Sequence, residues 1–83
     1  MNLYLVEHPK KAEGVGYDVY DSFVCAAKDE QAARMTYPGD WMGDWGGESG
    51  SCWCSASEAS VSLIGKAAKG TLAGVICASF NAG

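Results

Sequence analysis

Along residues 17–27, Tyr17, Val19, Phe23, Cys25 and Ala27 fall on one side of an extended chain. Asp18, Tyr20, Ser22, Val24 and Ala26 fall on the other. A period of two with one greasier side predicts a strand. The pattern then changes. Asp29 stands where a helix N-cap belongs, its carboxylate placed to accept from the first free backbone amides, and Glu30 puts negative charge at the positive end of a helix. Ala32, Ala33 and Met35 supply an apolar stripe, and Pro38 disfavours helical geometry at Tyr37. A helix over residues 30–36 is therefore expected, too short to be stable unless it packs on the sheet.

The remaining segments follow the same logic. Asn2–Glu7 reads as a first strand, with Leu3 and Leu5 on one side and Tyr4 and Val6 on the other, closed by His8-Pro9. Residues 10–16, charged and containing Gly14 and Gly16, form a loop that returns the chain antiparallel. Alternation resumes over residues 58–66 around Val61, Leu63 and Gly65. After a turn region it resumes once more over residues 75–80, with Val75 and Cys77 opposed to Ile76, Ala78 and Phe80. The element order is β-β-α-β-β. The expected fold is α+β: a four-stranded antiparallel sheet with one short helix on one face.

Between helix and third strand, residues 37–57 hold Pro38, five glycines, three tryptophans and two cysteines without helical or strand period. A loop of that length in a compact domain is either functional or disordered. Three tryptophans argue against disorder. Trp41, Trp45 and Trp53, with Met42 and Asp44 beside them, are the candidate partner-binding residues, because tryptophan is a preferred interface anchor. The opposing structural reading is that the loop folds back and plugs its tryptophans into the sheet face the helix leaves open. On this phasing Tyr4, Val6, Tyr20 and Val24 share that second face. Left uncovered they would form an apolar patch, and a homodimer is the symmetric way to bury it.

Composition narrows the range. The chain has 83 residues, 48% of them hydrophobic and 19% charged, which is the profile of one globular domain spanning residues 1–83. So short a chain buries only roughly 60% of the surface it exposes unfolded, so it has room for one core. The formal charge is −4, and the six cations are scattered apart from Lys10-Lys11. Direct nucleic-acid binding, which needs clustered positive charge, is not expected. Ten carboxylates offset by six cations are equally thin for an acidic DNA mimic. The apolar run at residues 3–6 is far short of a signal-peptide core or a membrane span, so a cytoplasmic setting with reduced thiols is expected.

No catalytic constellation emerges, and no enzyme activity, metal or cofactor is expected. Only Trp53 separates Cys52 from Cys54, too tight for the usual zinc-ligand pair, and no basic neighbour favours a redox pair there. Cys25 and Cys77 read as small core residues, Cys52 and Cys54 as loop thiols. His8 reads as a solvent-facing residue at a strand end. Asp40, Asp44 and Glu48 recur every fourth residue but lack the alternate-residue oxygens of a calcium loop, so solvated charge is the expectation.

Several stretches carry a resemblance. They are Leu3-Tyr4-Leu5-Val6, Tyr17-Asp18-Val19-Tyr20-Asp21-Ser22, Val24-Cys25-Ala26-Ala27 leading to Glu30-Gln31-Ala32-Ala33-Arg34, Leu63-Ile64-Gly65-Lys66-Ala67, and the ending Val75-Ile76-Cys77-Ala78-Ser79-Phe80-Asn81-Ala82-Gly83. Together they resemble small proteins of unassigned activity encoded by tailed bacteriophages and prophages. The resemblance skips the tryptophan-rich middle. It implies a setting, that of a phage accessory protein inside an infected bacterium, where proteins of this size bind and disable host components. The expected function is an anti-defence inhibitor, comparable to an anti-CRISPR protein, that occludes the surface of a host or bacterial defence protein. The alternative is a sponge that sequesters a nucleotide-type small molecule, with loop glycine amides holding phosphate and a tryptophan stacking on the base. The lack of Lys or Arg between Pro38 and Ser57 counts against it.

Overall fold

The computed structural model describes residues 1–15, 19–38 and 53–81. Four strands and one helix are present: β1 (Asn2–Glu7), β2 (Val19–Ala27), α1 (Glu30–Arg34), β3 (Ser60–Lys66) and β4 (Gly74–Asn81). The α+β architecture expected from the pattern is observed, with every strand pair antiparallel. Short 3-10 turns at Lys11–Glu13 and Ala56–Glu58 lead into β2 and β3. The second of these occupies part of the stretch expected to open the third strand, which starts instead at Ser60. Tyr17 and Asp18 lie outside the described residues.

The strand order is β3-β1-β2-β4, so the first two strands form the centre of the sheet. Strands β3 and β4 follow each other in sequence yet occupy opposite edges. Their connection, residues 67–73, crosses the end of the sheet over a distance of roughly 15 Å, three strand spacings. That is within reach of seven extended residues, at about 3.3 Å or more each. It leaves β3 by continuing the ladder, Ala67 N donating to Met1 O at 3.0 Å, and then turns with Thr71 N donating to Ala68 O. Gly70 takes a φ of 91° in this turn, a left-handed conformation open to glycine and strained for other residues.

The helix forms as its cap foretold. Asp29 is extended, and its Oδ1 accepts from Ala32 N at 2.8 Å. The helical residues end at Arg34, however, two short of the expected span, and Thr36 Oγ1 turns back to donate to Ala32 O. Ala33 is fully buried against the sheet, while Met35, expected in the apolar stripe, is 65% exposed. Helical phase explains this: Met35 N still donates to Gln31 O, and two residues on from buried Ala33 is about 200° of turn, which faces Met35 away from the sheet.

The core lies on one face of the sheet. Cross-strand partners in an antiparallel sheet share a face. The register pairs Val6 with Phe23 and Tyr4 with Cys25 in the centre, Val6 with Val61 on one flank, and Phe23 with Ala78 and Cys25 with Val75 on the other. The covering layer comes from Ala33, Tyr37, Trp53, Cys54 and Ala59. Tyr4 and Val6 therefore belong to the same buried face as Phe23, and the expected second face is corrected. Tyr20 joins them at 2% exposure. A bulge at Asp21 inserts one residue between Tyr20 and Ser22 relative to β4, which breaks strict alternation. Of the four residues assigned to an open face, only Val24 lies there, paired with Leu5 and Cys77.

Candidate functional site

Trp53 organises the covered face. Its ring meets Phe23 edge to face with centroids 5.1 Å apart, and meets His8 from another side at 5.6 Å and 81°. At 4% exposure it is a core residue. For Trp53 the fold-back reading describes what is found, although the face it plugs is the one shared with the helix. Its Nε1–H is buried with no hydrogen-bond partner among the described residues.

His8, expected to face solvent, is half-buried against that indole because β1 ends beside it. His8 N extends the central ladder by donating to Asp21 O at 2.8 Å, and Nδ1 accepts from Lys10 N at 3.0 Å. Burial and then the neighbouring Lys10 charge push its pKa below the ordinary 6.5, against the opposite pull of Glu58 and Asp21.

Arg34 holds the segment that delivers Trp53. Its Nη1 donates to the carbonyls of Ala56 and Ala59, at 3.1 and 2.5 Å, and Nη2 stands 3.6 Å from Glu30 Oε1. One guanidinium thus ties the end of the helix to the turn preceding β3. Nothing in the local pattern marked Arg34 for this role. The only hint was its place as the single cation in the last helical turn, directly before the irregular stretch.

The segment carrying the other candidate residues starts and ends on this face. Pro38 is fully buried at one end and Trp53 at the other. Trp41, Met42, Asp44 and Trp45 lie outside the described residues, as do Asp40, Glu48 and Cys52. Between the two ends is a hollow of about 130 Å³ lined by Arg34, Tyr37, Trp53 and Cys54 among others. That is well below the several hundred Å³ usual for a nucleotide-sized ligand. A larger hollow of about 320 Å³ beside Lys28 is walled by Ala26, Ala27, Ala32 and Ala73, with no aromatic side chain on which a base could stack.

The thiols sort differently from expectation. Cys25 is buried as foreseen, but Cys54 is buried too and Cys77 is exposed. Cys54 follows Trp53 into the core, whereas the pairing with Val24 places Cys77 on the opposite face. Burial raises the pKa of both Cys25 and Cys54, with a Thr36 hydrogen bond partly offsetting it at Cys25. Among the described residues no three His, Cys, Asp or Glu side chains converge as a metal site would require. Nor is any described helix long and apolar enough to cross a membrane.

Comparison with protein-family models, with curated proteins and with solved structures finds no match for this chain.

Proposed function

We propose that this protein is a binding module of phage origin that inhibits a host or bacterial defence protein by occluding its surface. In this reading Trp41 and Trp45 act as anchors, with Met42 and Asp44 beside them. The supporting observation is the pair of fixed points that flank their segment: Pro38, fully buried, and Trp53, wedged against Phe23 and His8. Binding residues work best on a connection whose ends are held by a rigid scaffold, because less ordering entropy is lost on association. Arg34 adds to that rigidity by clamping the turn that precedes β3.

The test is capture of partners by the tagged full-length chain in infected bacteria, followed by titration of the captured protein with Trp41→Ala and Trp45→Ala. At least one substitution should weaken binding by about 2 kcal/mol or more, the size of an interface hot spot, with cooperative unfolding unchanged. Retention of a nucleotide with no stoichiometric protein would favour the sponge instead. Two variants that bind as the parent does would move the recognition surface away from this segment.

A further inference from the structure

The ring of His8 makes two contacts that depend on its protonation. Nδ1 accepts from Lys10 N at 3.0 Å, and the ring stands edge to face against the indole of Trp53, centroids 5.6 Å apart and planes at 81°. A nitrogen that accepts carries no proton, so the neutral ring holds its proton at Nε2. The backbone on either side is fixed, His8 N donating to Asp21 O and His8 O accepting from Lys11 N. Rotation of the side chain is the freedom left to the ring. We propose that His8 is an acid-operated latch on Trp53: a proton arriving at Nδ1 turns the imidazole away from the indole and loosens the end of the segment that Trp53 anchors.

The proton comes from solvent and takes the lone pair that Lys10 N–H uses. Nδ1 then becomes a donor facing a donor, and the ring has to turn. Once turned, it no longer covers the indole. Trp53 keeps its contact with Phe23, and Arg34 still holds the carbonyls of Ala56 and Ala59. What opens is therefore the Trp53 end of the segment, while the sheet stays paired. On the inhibitor reading a looser anchor weakens partner binding in acid. The latch itself is measured without a partner, so either can fail alone.

The surroundings of the ring set the sign. Burial opposes any charge on it, and Lys10 opposes a positive one. Together they outweigh Glu58, from the turn before β3, and Asp21, from β2, which attract a proton to the ring. Glu7 and Lys11 line the hollow beside His8 but are paired with each other at 3.2 Å. Opening returns His8 to its ordinary affinity for protons. By linkage, the open population is constant well above pH 6.5, rises as pH falls below that value, and levels off once the closed form is protonated too. The total rise is about tenfold for each pKa unit that separates the closed from the open form.

Hydrogen exchange of the Trp53 indole N–H reads the latch directly, because that group is buried without a hydrogen-bond partner among the described residues. It is followed by NMR on the isotope-labelled full chain between about pH 7.5 and about pH 5.5, above the range where carboxylates titrate. His8→Asn is the comparison: its side-chain carbonyl can accept from Lys10 N as Nδ1 does, and it does not titrate. Taking the two proteins at equal pH cancels the chemistry of exchange itself. Indole protection in the parent, relative to the variant, should fall several-fold toward acid, following the His8 ring signals, while amides of the β1–β2 ladder stay more strongly protected. A parent-to-variant ratio that is constant across the range overturns the proposal. So does an indole that exchanges only together with the ladder amides, which is unfolding of the whole domain. Parent protection that rises in acid also overturns it, since that is an imidazolium held on the indole by cation–π attraction. If His8→Asn does not fold, the parent rate divided by that of a tryptophan peptide at each pH gives the same three outcomes.

Discussion

The indole of Trp53 sits edge to face on the ring of Phe23, centroids 5.1 Å apart and planes at 62°. The contact joins the central strand to a segment thirty residues later and closes the core. Phe23→Ala should cost about 3 to 5 kcal/mol, enough to unfold much of so small a domain, and Trp53→Ala should cost a similar amount. Trp53→Phe should cost far less. It keeps an aromatic ring against Phe23 and removes an N–H that has no hydrogen-bond partner among the described residues, a group whose burial is itself unfavourable by about 1 to 3 kcal/mol. Urea unfolding of the three variants decides the matter. A Trp53→Phe variant as damaged as Trp53→Ala would mean that the indole nitrogen is satisfied.

Arg34 offers a second comparison. Its hydrogen bonds to the carbonyls of Ala56 and Ala59 are charge-assisted and partly buried, whereas its partner Glu30 is 64% exposed. Arg34→Met should destabilise by about 1.5 to 3 kcal/mol through the carbonyls left without a donor. Glu30→Gln should change stability by less than about 1 kcal/mol, as exposed ion pairs do. Equal effects of the two substitutions would show that the ion pair, and not the clamp, is what Arg34 contributes.

Thiol chemistry should separate the cysteines by location. Cys77 is exposed, while Cys25 and Cys54 are buried with pKa values raised by that burial, which lowers both access and thiolate content. In dilute folded protein, a maleimide pulse followed by peptide mass mapping should label Cys77 rapidly and leave Cys25 and Cys54 unmodified. After denaturation all should react. Rapid labelling of Cys54 in the folded state would mean that the Trp53 segment opens readily.

His8 imposes a pH dependence whose sign follows from its surroundings. Its pKa is lowered from 6.5, first by burial and then by Lys10, so the folded protein binds this proton less readily than the unfolded chain. The His8 contribution is fully present above 6.5 and is lost as pH falls through the folded pKa. The carboxylates add their own acid sensitivity, so the readout is a difference. Between about pH 7 and pH 5, His8→Gln should lose less stability than the parent does. Parallel losses in the two proteins would show that His8 titrates alike in the folded and unfolded states.

Much of this fold could be read along the chain because it rests on neighbours in sequence. The alternation in Asn2–Glu7 and in β2 makes strands whatever lies beside them. Asp29 caps the helix through an amide three residues away, and the Pro38 restriction at Tyr37 set the outer limit that the helix, ending at Arg34, does not reach. What stayed hidden is relational. Alternation gives each strand two faces without saying which face of one strand joins which face of the next. The pairing of Val6 with Phe23 is a fact of register, and it moved Tyr4 and Val6 into the core. One extra residue at Asp21 then brought Tyr20 to the same side. Likewise, Cys54 is buried because Trp53 carries it there and Cys77 is exposed because Val24 is its partner, distinctions that a cysteine's immediate neighbours do not encode. The placement of consecutive strands β3 and β4 at opposite edges, and the reach of Arg34 to Ala56 and Ala59, arise only when distant segments share one small core.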